Sequence, residues 1–386
     1  MDLNKTKKTM LDLLLDKITK EFPDWQKSCI KNVLLLSLCM IQNETTCLYK
    51  LKNKVGLFID KPETKKGSHY KRLTRIFTGY AFSRLWIALL SYVFRSLRLK
   101  SDYLLLDGTS WDKGKTRLHY ITLCVVYGGV AIPIYWEDLR KKGISNQKER
   151  IKLLKKAMKY FNLEGKTLLA DREYIGIDWF KFLKNNGIEF NIRLRAKSYK
   201  DAINASSGKS YEELSAKALR SKKRAKAVGK RITLDGMELM FIVVKNPKPD
   251  AKDKLIYLLS SLDKAPAVLS VMYLIRWQIE TCFKHLKSNG FDLEKANVKG
   301  KARQKLLMAI VVFSYTLAIT EGLKDYGKIP YKTYPNGKVY KAISLFRHGL
   351  DKLVNLCSDF TRYCTYLIHE LHDKLPTYRS RKSIFV

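Results

Sequence analysis

The 386-residue chain is long enough for two or three domains, and its 46% hydrophobic and 28% charged residues are typical of a folded protein, not a disordered one. The charge balance is unusual, because 74 Lys and Arg oppose 36 Asp and Glu and leave a net charge of +38. Self-repulsion on this scale opposes folding and indicates a polyanionic partner, either nucleic acid or, as a second candidate, an anionic membrane surface.

Residues 1–98 are predicted to form a helical region, because apolar residues recur at helical spacing in 10–20, 29–41 and 82–97. The segment 61–80 is basic and interleaved with aromatic residues. We predict a short helix here that presents its cations to DNA phosphates, and a solvated basic loop is the alternative. The candidate residues for this contact are Lys65, Lys66, Lys71, Arg72 and Arg75.

Residues 99–195 show a different pattern, in which short apolar runs alternate with helical segments. The predicted elements are strands at 102–107, 117–127 and 131–136, a helix at 146–160, a strand at 167–171, a helix at 178–186 and a strand at 189–195. This order is that of an RNase H-like sheet, an α/β fold in which the first and fourth strands are neighbours. These two strands are predicted to end at Asp107 and Asp171, so the two carboxylates should converge. The apolar face of the first helix is predicted to consist of Ile151, Leu154, Met158 and Phe161.

Residues 196–264 interrupt this pattern and are predicted to form a β-rich insertion. A basic helical stretch over 209–227 precedes two strand-like runs, and Asp235-Gly236 in the first run is a good hairpin turn. Residues 265–328 are predicted to complete the α/β core, and 329–386 to form a helical C-terminal region. The apolar run at 306–319 is short of the roughly twenty residues that span a bilayer, so we predict a buried core helix.

Other sequence features limit the choice of function. The N-terminus lacks the apolar core of a signal peptide, which predicts a cytoplasmic protein. The seven cysteines include no CxxC pair, so we expect free thiols in a reducing compartment and no zinc site or disulfide framework. No lipid-anchoring segment supports the membrane alternative, and we expect no membrane association.

The segment from 273 to 287 concentrates reactive side chains. In a regular helix Tyr273, Arg276, Glu280 and Lys287 would project within roughly a 60° arc. A tyrosine, two cations and a carboxylate on one stripe suit a surface that holds a metal and a phosphodiester together. A simple ion pair between Arg276 and Glu280 is the alternative. Lys284 lies at the edge of the stripe and could add a phosphate contact.

Asp107, Asp171 and Glu280 form a set of oxygen ligands that Mg²⁺ prefers. Two such ions can activate a water or a 3′-hydroxyl and stabilise the leaving oxygen of an in-line displacement at phosphorus. Arg276 and Lys287 would anchor phosphates and offset the developing charge. The three acids are therefore predicted as catalytic residues and metal ligands.

These segments resemble the IS4 family of DDE transposases. The helix has the Y-(2)-R-(3)-E-(6)-K spacing of that family in Tyr273, Arg276, Glu280 and Lys287, and Asp171-Arg-Glu-Tyr174 is similar to its DRE-(F/Y) motif. The surroundings of Asp107, in LDGTSW, are similar to its first-strand motif. The resemblance extends from about residue 102 to 287.

The resemblance implies a DNA transposase that binds two Mg²⁺ ions, for which Mn²⁺ can substitute, and that nicks DNA, often forms a hairpin on the element end, and joins that end to target DNA. It also implies a homodimer that binds paired double-stranded ends. The protein would be cytoplasmic and associated with the nucleoid of a bacterium or archaeon. Tyr273, Arg276 and Lys287 would grip phosphates. The N-terminal region would bind the terminal inverted repeats and the C-terminal helices would support dimerisation.

One departure concerns the aromatic side chain with which some family members hold a flipped base. No Trp lies between Trp179 and Trp277, so Phe241 or Tyr257 would have to substitute, or Trp277 would stack on the base. The alternatives to an active transposase are another RNase H-like nuclease and a catalytically inactive, transposase-derived DNA-binding protein. The insertion before Glu280 argues against another RNase H-like nuclease. The presence of all three acids argues against a catalytically inactive protein.

Overall fold

The computed structural model describes most of the chain. The described residues are 9–21, 23, 25–59, 63–79, 85–96, 100–113, 116–141, 143–221, 226–247, 251–335, 337–372 and 384–385. Parts of the predicted elements lie outside these residues, namely 61–62 and 80 of the basic segment, 82–84 and 97 of the third helix, 222–225 and 248–250 of the insertion, and 336, 373–383 and 386 of the C-terminal region.

The chain divides into two compact units. The helical unit contains residues 1–99 and 283–382, and the sheet unit contains residues 100–282 and 383–386. The five sequence regions delimited above stay predictions as domains.

The elements follow the chain in this order. The helices are α1 (Met10–Glu21), α2 (Lys27–Asn43), α3 (Leu48–Leu51), α4 (Val55–Phe58), α5 (Lys66–Gly79), α6 (Leu85–Ser96), α7 (Gln147–Ala157), α8 (Ile177–Asn185), α9 (Lys200–Ala205), α10 (Tyr211–Leu219), α11 (Pro266–Tyr273), α12 (Trp277–Lys287), α13 (Lys301–Leu323), α14 (Leu345–Leu356) and α15 (Phe360–His372). The strands are β1 (Tyr103–Lys113), β2 (Thr116–Tyr127), β3 (Val130–Asp138), β4 (Phe161–Asn162), β5 (Thr167–Ala170), β6 (Glu189–Leu194), β7 (Ala227–Leu234), β8 (Met237–Lys245), β9 (Leu255–Ser260), β10 (Tyr331–Thr333), β11 (Val339–Lys341) and β12 (Ile384–Phe385). Short 3₁₀ turns occupy Leu274–Arg276, Leu293–Lys295 and Tyr326–Lys328.

The sheet unit is built on an eight-stranded sheet with the order β3-β2-β1-β5-β6-β9-β8-β7. Its first five strands have the predicted RNase H-like order, and the fold class is confirmed. β1 pairs antiparallel with β2 and parallel with β5, in a register that sets Leu106 opposite Ala170. The residues that follow this pair in their strands are Asp107 and Asp171, so strand pairing alone brings both aspartates to one edge of the β1–β5 ladder.

The prediction that the first strand ends at Asp107 was wrong. β1 continues to Lys113, and Asp107 pairs with Thr122 in the middle of its ladder with β2. The apolar run does end at residue 106, but only the pairing with the short β5 stops there. Beyond that point β1 is held by β2 alone, so one side of Asp107 is left open for a site.

The insertion extends the same sheet. β9 pairs antiparallel with β6, and β8 joins β9 to β7. Asp235 and Gly236 both have positive φ angles, which form the tight hairpin turn predicted between β7 and β8. Among its described residues, the basic stretch before it is helical over α10, and β7 starts at residue 227, earlier than predicted. The β-rich character of the insertion is therefore confirmed.

The predicted apolar face of α7 was wrong in part. The buried residues are Arg150, Leu153, Leu154 and Ala157. Ile151 and Met158 are only half-buried. The buried face includes an arginine. Because the prediction assigned only apolar residues to this face, it placed the face on the wrong side of the helix. The helix begins where a capping box forms, since Asn146 and Glu149 exchange hydrogen bonds between side chain and backbone.

In the helical unit α13 forms the central element. Among the described residues, it is the one helix that is long and apolar enough to cross a membrane. Of its most apolar 18-residue stretch, 94% is buried inside the structure. The prediction of a buried core helix is confirmed. α5 is amphipathic as predicted, with Leu73, Ile76 and Phe77 buried while Lys65, Lys66, Lys71 and Arg75 are exposed and Arg72 is half-buried.

The contact between α13 and α14 depends on two glycines that allow the backbones to approach closely. A Cβ atom at Gly349 would overlap the backbone oxygen of Ala318, and one at Gly322 would lie 2.5 Å from the backbone oxygen of Leu345. Backbone atoms in packed helices cannot move aside as a flexible side chain can.

Gly349→Ala is therefore expected to lower the free energy of unfolding by about 3 kcal/mol, as overpacking of a core does. Gly67→Ala is the matched control, because Gly67 is also helical and has nothing within 4 Å of its added Cβ. The control should stay within about 1 kcal/mol of wild type. Urea unfolding followed by circular dichroism measures both, and equal stability of the two variants would contradict the close-packing argument.

Candidate active site

Asp107 lies half-buried on β1 and is held from three directions. Its Oδ1 accepts a hydrogen bond from the backbone N–H of Gly108 at 2.7 Å and lies 3.5 Å from the hydroxyl of Tyr174. Its Oδ2 lies 3.5 Å from Nη1 of Arg276. Next to it, a Cβ added at Gly108 would lie 3.1 Å from the ring of His119, so a larger residue there would have to displace that ring slightly. The LDGTSW segment thus places one carboxylate in a fixed orientation.

Asp171 follows β5 directly and faces two other groups. Its Oδ1 accepts a hydrogen bond from the Tyr273 hydroxyl at 3.3 Å and lies 3.8 Å from Nη1 of Arg193. The motif around it also positions Tyr174, which is buried and whose hydroxyl lies near Asp107. Asp171 and Tyr174, three residues apart in this motif, therefore both contribute to the same site.

Glu280 lies on α12, but not in one regular helix with Tyr273. The prediction of a continuous helix was wrong, because α11 ends at Tyr273 and the 3₁₀ turn Leu274–Arg276 separates it from α12. In a 3₁₀ turn side chains three apart eclipse one another. Arg276 accordingly lies over the Tyr273 ring, with its guanidinium carbon 5.7 Å from the centroid.

Arg276 connects the carboxylates. Its side chain is only 5% exposed, and its Nη2 donates to Oε1 of Glu280 at 2.8 Å while its Nη1 faces Asp107. Burial by itself lowers the pKa of Arg276, but Tyr273 and the nearby carboxylates outweigh it and the net shift is upward. The ion pair considered as the alternative is thus present, and it belongs to the same cluster as the acids.

The structure brings all three predicted acids around this one guanidinium. Among the described residues, no three His, Cys, Asp or Glu side chains approach closely enough to hold a metal in this arrangement. The guanidinium contacts two of the acids where a cation would bind. Arg276 thus supplies the positive charge that this acidic cluster requires.

Comparison with known proteins identifies the family. Residues 99–317 match the family described as Transposase DDE domain, which is more than half of the chain. The chain belongs to the DDE transposase family. No curated protein sequence matches it. A cryo-EM structure of the piggyBac transposase synaptic complex with hairpin DNA is similar, with 14% sequence identity, a TM-score of 0.46, and coverage of 93% of this chain and 78% of that one.

As a member of this family the protein is a transposase, and its relatives act on DNA and generally depend on divalent metal ions. The other predicted site residues of this transposase lie in different surroundings. Tyr273 is buried against Asp171, and Trp277 is 47% exposed with Arg276 5.2 Å from its ring. Lys284 is exposed on α12 and Lys287 is half-buried, 4.0 Å from Glu294. The phosphate-binding and base-stacking roles of these residues stay predictions.

Both insertion aromatics named as base holders belong to one stack. The ring centroids of Tyr211 and Tyr257 are 5.0 Å apart, and Phe241 lies 5.8 Å from Tyr211. Phe241 is completely buried in this stack, so it cannot receive a base without unfolding its surroundings. Tyr257 is half-buried.

Arg150 is a positioning residue that the sequence analysis missed. Buried on α7, it donates to the backbone oxygens of Glu173 at 2.6 Å and Ile175 at 3.1 Å, and it lies 5.1 Å over the Tyr174 ring. The backbone of the segment after Asp171 is therefore held in place by hydrogen bonds from Arg150. A signal was present, because an arginine at a core position of an amphipathic helix needs buried acceptors.

The pKa of Asp107 is raised to about 6, mainly by burial; Arg276 and the Gly108 N–H oppose this shift, while Asp171 and Glu280 add to it. The native state therefore binds this proton more tightly than the unfolded chain does. The stability that Asp107 contributes is highest at low pH and is lost as pH rises from about 4 to about 6.

In the presence of EDTA, Asp107→Asn should therefore be more stable than wild type above pH 6, by on the order of 2 kcal/mol, and the difference should shrink below pH 5. Urea unfolding at a series of pH values measures the difference. A constant difference across this range would show that Asp107 does not have a raised pKa.

Proposed function

We propose that the protein catalyses metal-dependent cleavage of DNA at the ends of its own element and transfer of those ends into target DNA. The observation that supports this most directly is the convergence of Asp107, Asp171 and Glu280 from β1, the end of β5 and α12 on one buried guanidinium. Carboxylates so placed repel one another unless a cation lies among them. Such a cluster suits a hard divalent ion.

The donor set fits this ion in chemistry. Asp107, Asp171 and Glu280 would hold Mg²⁺, or Mn²⁺ as a substitute, and two ions per site are part of the proposal. Bound there, the ions would activate the attacking hydroxyl and stabilise the leaving oxygen. Asp171 and Glu280 add to the upward shift that burial causes in the pKa of Asp107, and they also favour divalent binding, because an added cation relieves the repulsion among the carboxylates.

The protein's own residues would orient the reactants. Arg276 is charged and fixed between two acids, so its release from either one would direct a guanidinium toward a phosphate oxygen. Tyr273 holds Asp171 in place through its hydroxyl. Lys284 and Lys287 would bind phosphates from the end of α12, and the exposed Trp277 would stack on a base displaced at the cut.

α5, with its exposed lysines and Arg75, would contact the terminal inverted repeats. The protein would act as a homodimer on paired ends within the cytoplasm, without membrane association, as an IS4-family member would, and the cut end would pass through a hairpin. A catalytically inactive DNA-binding protein is the second candidate. The convergence of three carboxylates on Arg276 favours it less, because binding DNA alone does not require a cluster of acids.

The test is incubation of the purified protein with a duplex that carries the terminal repeats of its own element. Cleavage at the repeat boundary is expected with Mg²⁺ and not with EDTA, and a duplex with a scrambled repeat is the control. Binding without cleavage under every metal condition would replace this proposal by the second candidate. Denaturing gels that resolve a hairpin from a nick distinguish the two forms of the cut end.

A further inference from the structure

Two arginines beside Asp171 converge on one carboxylate oxygen. Nη1 of Arg172 lies 3.1 Å from Oδ2 of Asp253, and Nη2 of Arg193 lies 2.9 Å from the same oxygen. Nη1 of Arg193 is the atom 3.8 Å from Asp171. Arg193 therefore joins Asp253 to one of the three site acids.

The fold brings the three residues together. Arg172 follows β5, and Arg193 lies on β6, the neighbouring strand. Asp253 comes from the segment between β8 and β9, and Asn246 holds the backbone of that segment. The Asn246 amide donates to the Asp253 oxygen at 2.9 Å, and its N–H donates to the Lys254 oxygen, also at 2.9 Å. The insertion thus places the Asp253 carboxylate next to Arg172 and Arg193 of the core sheet.

A cavity of about 250 Å³ opens at this contact. Its polar lining includes Arg172, Arg193 and Lys254. Two guanidiniums aimed at one anionic oxygen form the arrangement with which proteins bind a phosphate, because the planar donors match its geometry. In this structure a carboxylate takes that place.

We propose that Arg172 and Arg193 form a binding site for a DNA phosphate beside Asp171, and that Asp253 is an internal anion that occupies this site until DNA replaces it. The inference rests on the proposed function, since it requires DNA to reach the site. Asp253 is 44% exposed, so its ion pairs are weak and a phosphate drawn in by the basic surface can replace them. Until then the carboxylate keeps both arginines paired and lowers their affinity for unrelated anions.

The test measures binding of a fluorescently labelled duplex by anisotropy, in EDTA and over a range of salt concentrations. Asp253→Asn should bind about threefold more tightly at low salt, because the competing charge is lost. Asp263→Asn is the matched control, because Asp263 also pairs with an arginine of the sheet unit, Arg231, at 2.6 Å.

The control should bind as wild type does. In a protein that carries Arg172→Gln and Arg193→Gln, the further change Asp253→Asn should have no effect on affinity. An unchanged or weakened affinity of Asp253→Asn alone would overturn the inference, and so would an equal gain in Asp263→Asn, which would indicate overall charge. If wild type does not bind DNA at all, the proposed function fails as well, whereas binding that is insensitive to Asp253 removes this inference only.

Discussion

Glu280→Gln is expected to lower the rate of DNA cleavage by about 1,000-fold or more, and Asp107→Asn and Asp171→Asn should have effects of the same size. Each change keeps the shape of the side chain and removes one anionic ligand. A bound metal supplies several kcal/mol of charge stabilisation at the reacting phosphate, and each 1.36 kcal/mol corresponds to a factor of ten in rate. Single-turnover cleavage of a labelled terminal-repeat duplex measures the loss.

The three variants should bind the same duplex with nearly wild-type affinity, because the acids do not contribute positive charge. Glu212→Gln is a matched control, since Glu212 is an exposed carboxylate of the sheet unit that pairs with Lys200 at 2.5 Å. It should cleave at the wild-type rate. Cleavage within tenfold of wild type in any of the three site variants would remove that residue from the catalytic set.

Arg276→Met is expected to lower the free energy of unfolding by about 3 kcal/mol in EDTA, as removal of one partner from a buried ion pair does. The guanidinium contacts Glu280 and Asp107, and both carboxylates would remain without it. These acids can become neutral by taking up protons. The destabilisation should therefore increase as pH rises from 5 to 8, because the remaining acids must ionise at the higher pH.

A divalent cation should oppose this loss. If the acids bind Mg²⁺, then Mg²⁺ should raise the stability of the Arg276→Met protein by more than that of wild type, because it replaces the missing charge. Arg231→Met is the control, since Arg231 pairs with Asp263 at the surface and both side chains are 69% exposed. That change should cost less than about 1 kcal/mol. Urea unfolding at pH 5 and pH 8 measures the stability of both variants. If Arg276→Met is as stable as the control at pH 8, Arg276 does not neutralise the cluster.

The sequence was sufficient to predict the strand order and the convergence of the acids. Strand order follows from the alternation of apolar runs and helical segments, and once β1 and β5 are neighbours, Asp107 and Asp171 must share an edge. The contacts of Glu280 were harder to predict, because a regular helix and a helix broken by a 3₁₀ turn have the same residue spacing. Local spacing does not determine which turn tightens.

Two features of the site were not predicted from the sequence, for different reasons. Arg150 was missed because burial of a cation depends on acceptors from a distant segment, the backbone of residues 173–175. Asp253 was missed because its partners Arg172 and Arg193 are 81 and 60 residues away along the chain. Long-range ion pairs follow from the pairing of β6 with β9, and no periodicity encodes that pairing.

The pairing of β6 with β9 also limits how this protein can be shortened. β6 is hydrogen-bonded to β5 on one side and to the insertion on the other. Excision of residues 196–264 would leave one side of β6 as an open row of backbone donors and acceptors, which is a template for aggregation. The insertion and the RNase H-like strands therefore form a single folding unit, and a minimal catalytic fragment has to retain both.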